Sequence, residues 1–362
     1  MITKGHILVI NPGSTSTKIA AFHVNTRSGH LELTRQANLT HTDLSQNQKD
    51  ELKGRLADVR TFLSKGSEQF QLIMARGAPL RPLKGGAYAV NDAMLADLRS
   101  QRYSSHASNL AAIMGAVLAD ELGVSVFITD PITTDELRPE ARISGVPGYE
   151  RKSRSHALNI KASVRKVCNQ IDKVPQQSQW VVCHLGGGIS IAAVKHDQII
   201  DVNDALLGMG PFSPERAGAL PTAVILDLVF KDGLQRSELE HLFSRESGLK
   251  GYLGTADLTQ VEAMINAGDS NALLVFQAMV YQIIKEVSAM ASVLKFDLDG
   301  IILTGGMAHS RLLTESLVDG IQGLGQVFVE AGENEMEALA TAGLHILSGE
   351  TTVLTYTRAK KD

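Results

Sequence analysis

Residues 7–18 have the sequence ILVINPGSTSTK, and the architecture of the chain follows from them. The four apolar residues at the start predict a short buried strand, and a second apolar run comes directly after Lys18. Asn11-Pro12-Gly13 interrupts the apolar pattern, so the stretch predicts a β-hairpin with a polar loop. Hydroxyl groups, backbone N–H groups made approachable by Gly13, and the charge of Lys18 can together bind phosphate oxygens. An ordinary Ser/Thr-rich turn has the same composition.

A second stretch of similar design lies far downstream. Residues 180–183 are apolar, residues 184–188 read HLGGG, and residues 189–194 are apolar again except for Ser190. Helix and strand patterns alternate after each stretch: helices at 47–65, 91–99, 108–122, 222–229, 271–294 and 335–347, and strands at 71–74, 124–129 and 301–304. The sequence therefore predicts an α/β protein in which a strand–phosphate loop–strand unit occurs twice. It contains no GxxxxGK[ST] motif and no GxGxxG between a strand and a helix, unlike Walker-type nucleotide binders.

The composition excludes several classes of partner. With 362 residues, the chain is long enough for two domains with separate cores. Its 35 basic and 39 acidic residues are nearly balanced, so we expect neither nucleic acid nor an anionic membrane as a partner. The longest apolar helical stretch, 110–118, is followed by Asp120 and Glu121, so we expect no membrane span of about 20 residues.

The sequence also predicts a cytoplasmic location. Cys168 and Cys183 are too far apart for a CxxC motif and suit a reducing compartment. The N-terminal residues MITKGH lead directly into the first strand and leave no room for a signal peptide.

Seven motifs, in the same order along the chain, resemble the acetate/butyrate kinase family, and the butyrate kinase branch most closely. They are NPGSTSTK at 11–18, HASN at 106–109, ERKSRSHALN at 150–159, HLGGGISIAA at 184–193, DVNDALLGMGPFSPERAG at 201–218, LTGGMA at 303–308 and GENEMEALA at 332–340. The family is part of the actin, hexokinase and Hsp70-type ATPase superfamily. The resemblance implies two duplicated domains of ribonuclease H-like type, with mixed sheets flanked by helices and a nucleotide cleft between them.

The polar and basic segment 137–180 is the predicted crossover between the domains. We expect an N-terminal domain at 1–150 that carries the first phosphate loop and is completed by the C-terminal helix, about 335–362. A C-terminal domain at 151–334 would carry the second phosphate loop and the adenosine element.

The reaction implied by the resemblance is reversible phosphoryl transfer from ATP to butyrate, giving butanoyl phosphate and ADP with Mg²⁺. A carboxylic acid is already ionised at neutral pH, so the nucleophile needs no general base. It needs cations instead, because an anion must approach a polyanion in a loose transition state. The partners would thus be a short-chain carboxylate and an acyl phosphate, and a homodimer or higher homo-oligomer is expected.

Matching motif positions implies a role for each candidate residue. Arg76 and Arg216 would bind the carboxylate and the transferring phosphoryl group, where a planar guanidinium is a better donor than Lys. His156 would donate a hydrogen bond to the phosphoryl oxygens. The implied nucleotide-binding residues are Asn11, Ser14, Ser16 and Lys18 at the terminal phosphates, His184, Gly186, Gly187 and Gly188 at the second loop, and Gly305 and Gly306 at the adenosine. Without the resemblance, each Arg would be interpreted as an ion-pair partner and each of His106, His156 and His184 as structural.

Three further residues are candidates for the metal and for orientation. Asp130 ends a strand, where acidic residues often orient a metal or an Arg. Asn11 and Glu335 would bind Mg²⁺ directly or through water, since this ion prefers oxygen ligands and retains waters. A carboxylate at a helix start also complements the helix dipole, and Glu337 competes with Glu335 for the metal role.

The chain departs from the usual butyrate kinase pattern at three places. Ala78 replaces a glycine after Arg76-Gly77, Ala217 and Ala219 alter the segment around Arg216, and Arg154-Ser155 precedes His156. The charged candidates survive all of these changes, so we interpret the departures as tuning of acyl preference and turnover rather than as loss of activity.

Two alternatives remain open at the level of sequence. One is an acetate, propionate or branched-chain acyl kinase. The other is a non-metabolic ATP switch that resembles actin or Hsp70, which would have no use for two Arg residues and a His at a phosphoryl acceptor.

Overall fold

A computed structural model describes residues 4–41, 48–104 and 106–359, apart from the side chains of Gln48 and Lys49. Asn47, the predicted start of a helix, and the last three residues of the chain lie outside the described residues. The chain divides into two compact units, Met1–Thr134 with Asn334–Asp362, and Asp135–Glu333.

The strands are β1 Lys4–Pro12, β2 Ser16–Asn25, β3 His30–Thr40, β4 Phe70–Arg76, β5 Ala87–Ala89, β6 Ser125–Thr129, β7 Gln179–His184, β8 Ser190–Lys195, β9 Gln198–Val202, β10 Gly300–Gly305, β11 Val327–Ala331 and β12 Leu354–Thr355. The α-helices are α1 Gln48–Ser64, α2 Asp92–Arg99, α3 Asn109–Leu122, α4 Pro139–Arg142, α5 Ala157–Gln170, α6 Thr222–Phe230, α7 Arg236–Arg245, α8 Gly248–Leu253, α9 Leu258–Asn266, α10 Ser270–Val293, α11 Arg311–Ile321 and α12 Glu335–Ser348.

The first unit is built on a seven-stranded mixed sheet in the order β12-β5-β6-β4-β1-β2-β3. Strands β1, β2 and β3 form an antiparallel meander, while β1, β4 and β6 run parallel. Residues of α1, α2 and α3 pack against Leu8 and Ile10 of β1 in one core cluster. On the opposite face, α12 lies close to the sheet because Gly343 has no side chain. A Cβ there would lie 2.9 Å from Ile7 Cδ1 and 2.9 Å from Met74 Cγ.

The parallel strands of this sheet bring polar residues to one edge. Asn11 lies near the carboxyl end of β1, Arg76 ends β4, and Asp130 follows β6. Because the carboxyl ends of neighbouring parallel strands meet at the same edge, they form the usual place for a ligand in an open α/β sheet.

The second unit repeats the first in shorter form. Its sheet has the order β11-β10-β7-β8-β9, with β7, β8 and β9 antiparallel in sequence and β7, β10 and β11 parallel. Helix α5 packs on one face in a core that includes Val182 and Ile302, and α10 packs on the other with Val181 and Leu303. The predicted α/β fold with mixed sheets and two hairpins is therefore confirmed.

The boundary between the compact units differs from the predicted one at residue 150. Residues 135–150 belong to the second unit because their polar groups bond within it. The Arg138 N–H donates to the Ile200 carbonyl (3.0 Å), and Arg142 forms an ion pair with Asp135 (2.6 Å). The second division comes after Glu333, one residue before the predicted one, so the segment that contains α12 belongs to the first unit.

Several elements escaped the sequence analysis. The segment 137–180, expected to be only a polar crossover, contains α4 and α5, and the interval between the two predicted long helices contains α7, α8 and α9. Helices α4, α7, α8 and α9 are all ten residues or shorter. Such short elements carry too few residues for a clear periodic signal.

Helix α10 contradicts the expectation that no segment has the length of a membrane span. By length and composition alone, its 24 residues could cross a membrane. The apolar stripe predicted for it is confirmed, since all its members are buried in the core of the second unit: Phe276, Val280, Ile283, Val287, Met290 and Leu294.

Candidate functional site

In the first unit, three candidate side chains form one hydrogen-bonded group. The amide of Asn11 donates to the Glu335 carboxylate (Nδ2–Oε2 2.7 Å), and Arg76 forms an ion pair with the same carboxylate oxygen. Nη1 of Arg76 also lies 3.4 Å from Oδ1 of Asn11. The structure thus joins the ends of β1 and β4 to the first residue of α12. Glu337, the competing candidate, is exposed, whereas Glu335 is buried.

Asp130 directly follows β6, and its backbone has an unusual conformation. Its φ of 40° lies in the left-handed region, which side chains larger than glycine rarely adopt. Oδ1 of its carboxylate accepts from the Gly86 N–H (2.8 Å), and Oδ2 accepts from the Thr129 hydroxyl (3.3 Å). Strain of this kind is concentrated at functional sites, so the placement agrees with an orienting role for Asp130.

The first phosphate loop is shorter than the sequence indicated. Strand pairing continues through Asn11↔Lys18 and Pro12↔Thr17, which leaves residues 13–15 as the loop. Ser16 and Lys18 therefore lie in β2, and the two-residue period of a strand places them on one face and Thr17 on the other. The Gly13 N–H donates to the Ser16 carbonyl (2.7 Å), so this N–H closes the turn.

In the second unit, two candidate histidines stack. The rings of His156 and His184 have centroids 3.8 Å apart and planes inclined by 15°. His184 ends β7, and its Nδ1 lies 2.8 Å from Oδ1 of Asn159. The Asn159 amide donates its own N–H to the Glu333 carbonyl (2.7 Å), which fixes Oδ1 as the acceptor and places a proton on Nδ1 of His184. Nδ1 of His156 lies 2.9 Å from the Ser190 hydroxyl.

Arg216 packs directly against the second glycine loop. A Cβ at Gly188 would lie 1.9 Å from Nη1 and 2.4 Å from Cζ of Arg216, so a side chain at this position would have to displace the guanidinium. Gly186 and Gly187 have no such constraint, because a Cβ at either would meet its nearest neighbour at 3.4 Å or more. The loop is also fixed from behind, since the Ser213 hydroxyl donates to the Gly187 carbonyl (2.6 Å).

The charge of Arg216 is poorly compensated. Nη1 donates to the Ala205 carbonyl, but Nε is buried without a hydrogen-bond partner among the described residues. Burial lowers the pKa of the guanidinium, and Arg154 and Arg245 act in the same direction. Glu215 and Asp204 raise the pKa but do not reverse the shift. A partly buried cation with an unsatisfied buried donor favours an anionic partner, because an isolated charge is costly to bury.

The third glycine element follows β10. Gly305 exchanges two backbone hydrogen bonds with Gly332, at 3.1 and 3.0 Å, and the Met307 N–H donates to the Leu185 carbonyl of the second loop (3.0 Å). Gly306 opens a short 3₁₀ helix, Gly306–His309, and has open space where a side chain would be. The residues predicted to contact adenosine are thus adjacent to the second phosphate loop within the same unit.

Two functional neighbours were missed although their motifs were quoted. Asn159, which orients His184, lies three residues after His156 and so on the same face of α5. Ser190 stands opposite His184 at the closed end of the second hairpin. Arg154, a departure from the family pattern, forms an ion pair with Asp204 (Nε–Oδ2 2.8 Å), which gives it a structural role. Ser108 is the N-cap residue of α3, and the Asn109 amide donates to the Ser104 carbonyl (2.8 Å).

The donor set in the first unit fits a magnesium ion that is bound mainly by phosphates. No group of three or more His, Cys, Asp or Glu side chains within residues 4–41, 48–104 and 106–359 is arranged to hold a metal. Glu335 and Asn11 offer one carboxylate and one amide oxygen. Mg²⁺ usually takes one or two protein carboxylates and completes its shell with substrate phosphates and water.

Comparisons with known proteins agree on one family. A family model described as the acetokinase family matches residues 145–357. A protein named probable butyrate kinase 2 from Caldanaerobacter subterraneus subsp. tengcongensis is 42% identical over 357 residues, covering 97% of this chain and 99% of the relative. A probable butyrate kinase from Listeria innocua serovar 6a is 41% identical over 345 residues, covering 95% of this chain and 97% of the relative.

A solved structure supports the fold. The crystal structure of Porphyromonas gingivalis acetate kinase superposes with a TM-score of 0.74 at 20% identity, covering 95% of this chain and 100% of that one. At this identity the likeness shows a shared fold.

The contact between Gly188 and Arg216 can be tested with anions. Sulfate at ten times its dissociation constant should raise the free energy of unfolding of the unaltered protein by about 1.4 kcal/mol. Gly188→Ala should reduce this effect, because the added Cβ displaces the guanidinium. Gly187→Ala is the control, since its Cβ would lie 3.5 Å from Glu215 Oε2. Thermal unfolding with and without sulfate measures the stabilisation in each variant. If sulfate stabilised Gly188→Ala as much as the unaltered protein, Arg216 would not be the anion-binding group.

Proposed function

Because the chain belongs to the acetokinase family, we propose that it is a carboxylate kinase that transfers the γ-phosphoryl group of ATP reversibly to butyrate. The names of the two relatives at 42% and 41% identity support butyrate as the acceptor. The geometric observation that carries the proposal is the partly buried Arg216, whose Nε is buried and has no hydrogen-bond partner among the described residues. A phosphoryl group in transfer is the kind of anion that such a guanidinium binds.

The proposed chemistry depends on charge neutralisation. Butyrate is ionised at neutral pH and is already a nucleophile, so the protein needs no base to activate it. Repulsion between the carboxylate and the polyphosphate is the larger obstacle, and preorganised cations lower it. Arg216 binds the transferring phosphoryl group, and His156, oriented by Ser190, donates to its oxygens.

In the first unit, Arg76 binds the acceptor carboxylate. The guanidinium is held in place by Asn11 and Glu335, and the substrate anion competes with Glu335 for it. Ser14, Ser16 and Lys18 bind the terminal phosphates. Asn11 and Glu335 would hold Mg²⁺ when the nucleotide is bound, and the positive charge supplied there would offset that of the phosphates.

Trapping the product with hydroxylamine tests the proposal. ATP, Mg²⁺, butyrate and hydroxylamine should yield a coloured hydroxamate. An ATP switch without a carboxylate acceptor would release phosphate and give no hydroxamate. Failure to form hydroxamate with any short acid would contradict the carboxylate kinase assignment.

The same assay measures acyl selectivity. Butyrate has two more methylenes than acetate, each worth about 0.8 kcal/mol when buried, so we expect about a fifteen-fold higher kcat/KM for butyrate. Apolar neighbours of the two arginines support this expectation: Ala78, Pro79 and Leu80 follow Arg76, and Pro211 and Phe212 precede Arg216. The measurement compares acetate, propionate, butyrate and isobutyrate. A maximum at acetate would overturn the butyrate assignment and leave the carboxylate kinase in place.

Removing either arginine should abolish most turnover. Arg76→Ala or Arg216→Ala removes a charge-assisted contact in the transition state, which costs about 3–4 kcal/mol, or two to three decades in kcat. ADP affinity should change little. Arg236→Ala is the control, because Arg236 is an exposed residue of α7 paired with Glu240. Near-normal turnover in a folded arginine variant would show that the arginine is structural.

We also propose that the chain forms a homodimer or a higher homo-oligomer in the cytoplasm. None of the nine residues of α6 is buried, although eight of them are apolar or Thr, and Phe230 is 82% exposed. An exposed apolar helix of this kind is typical of an interface. Light scattering should give the mass of at least two chains, and Phe230→Glu should lower it. Ile143→Glu is the control and should leave the mass unchanged, because Ile143 is an apolar residue elsewhere in the second unit that is 74% exposed. A monomeric mass for the unaltered protein would contradict the proposal.

A further inference from the structure

Arg55 is the most deeply buried arginine that the proposed chemistry leaves without a role. It lies on α1, and its side chain is 1% exposed. It lies outside the seven family motifs, and the sequence predicts only a helix at this position. The charge is compensated by Glu51, one helical turn earlier, with Nη2 2.8 Å from Oε1.

The guanidinium of Arg55 is saturated by acceptors on the first phosphate loop. Nε donates to Glu51 (3.0 Å), and the other four N–H groups point at residues 13–17. The acceptors are the carbonyls of Gly13, Ser14 and Ser16, each at 3.0 Å, and the hydroxyl of Thr17 at 2.9 Å. An arginine has five N–H donors in a fixed planar arrangement, and here each has an acceptor.

These bonds fix the direction of the loop's own donors. A trans peptide unit is planar, so the N–H of one residue points opposite to the carbonyl of the residue before it. Since the carbonyls of Gly13 and Ser14 face Arg55, the N–H groups of Ser14 and Thr15 must point away from it. Successive N–H groups that point in one direction form an anion-binding concavity.

A second set of contacts holds the loop from the same side. The His41 N–H donates to the Thr15 carbonyl (2.9 Å). The His41 ring bridges Thr17 and Asp58, with Nε2 2.9 Å from the hydroxyl and Nδ1 3.0 Å from the carboxylate. Burial lowers the pKa of His41, as does Arg55, while Asp58 raises it. A neutral ring that donates to Asp58 and accepts from Thr17 leaves the Thr17 oxygen available to Arg55.

We propose that Arg55 is a positioning residue for phosphate binding: by engaging the loop carbonyls, it presents the Ser14 and Thr15 amides to the terminal phosphates of ATP. The inference rests on the proposed role of this loop in nucleotide binding. Arg55 itself contacts no substrate, because all its donors are directed at the protein. Lys could not replace it, since an ammonium has three donors on a flexible stem and cannot serve five acceptors.

Arg55→Lys separates positioning from simple structural support. If Arg55 positions the loop, the variant should bind the non-hydrolysable analogue AMPPNP, with Mg²⁺, about tenfold more weakly, as expected for the loss of one or two phosphate hydrogen bonds. Its KM for ATP should rise with that for butyrate unchanged. A merely structural Arg55 would lower the thermal midpoint and leave both the AMPPNP affinity and the KM for ATP unaltered in the folded fraction, which would overturn the proposal.

Arg60→Lys is the matched control. Arg60 lies on the same helix, is 47% exposed and pairs with Glu121, so its replacement should change neither affinity nor KM. If Arg55→Lys does not fold, Glu51→Gln decides the matter, because it keeps the hydrogen bond but removes the charge that orients the guanidinium. A hydrogen bond to a charged acceptor is stronger than one to a neutral acceptor, so we expect the KM for ATP of Glu51→Gln to rise about threefold if Arg55 positions the loop. An unchanged KM would contradict the positioning role.

Calorimetry with AMPPNP requires no carboxylate, so it keeps this inference distinct from the proposed reaction. If the unaltered protein binds AMPPNP but forms no hydroxamate, the carboxylate kinase assignment fails, and the affinity of Arg55→Lys still tests the positioning role. If the unaltered protein does not bind AMPPNP, the phosphate loop has no such ligand and the inference is overturned.

Discussion

The carboxylate of Glu335 joins the C-terminal helix α12 to two strands of the N-terminal sheet. It is 9% exposed and accepts from both Asn11 and Arg76, which come from two parallel strands more than 250 residues earlier in the chain. A buried ion pair that loses one partner costs about 3–5 kcal/mol, so the three side chains must be placed together. Helix α12 can reach this position because Gly343 allows it to lie against Ile7 and Met74. The C-terminal segment is thereby part of the N-terminal core, and the candidate site of this unit is complete only when both ends of the chain have folded.

Local patterns were sufficient for the parts of the molecule that are set by local chemistry. The apolar runs on either side of residues 13–15 and 185–189 predicted both hairpins, and the strands that end at Arg76 and Asp130 followed from the same alternation. Contacts across the fold were not predictable in this way. The stacking of His156 on His184 depends on where α5 meets β7, and no periodicity encodes it. The resemblance to a family indicated which residues matter, but Asn159 and Arg55 required coordinates, because their function is to hold other residues.

Arg55 and Arg216 differ in how far the protein compensates their charge and satisfies their N–H donors. All five N–H groups of Arg55 have protein acceptors, and Glu51 balances its charge. Arg216 keeps a buried Nε without a partner among the described residues, and burial lowers the pKa of its guanidinium. Arg55 needs no ligand to satisfy its donors, whereas an anion bound at Arg216 would supply the hydrogen bond that its Nε lacks. The sequence presents both residues simply as Arg in a polar neighbourhood, so this difference is a property of the fold.

The loops of the two hairpins are held by different contacts. In the first, a side chain from a helix engages the loop carbonyls, so the loop is only as rigid as the position of α1. In the second hairpin, the Ser213 hydroxyl donates to the Gly187 carbonyl, and the Met307 N–H donates to the Leu185 carbonyl. Ser213 lies in the segment that carries Arg216, and Met307 lies in the predicted adenosine element. Any shift of those segments must therefore move the second loop with Arg216. In the first unit, the contact with Arg76 comes instead from Asn11, which precedes the loop on β1 and lies 3.4 Å from Nη1 of Arg76. The two units therefore contain similar hairpins whose loops are held by different contacts.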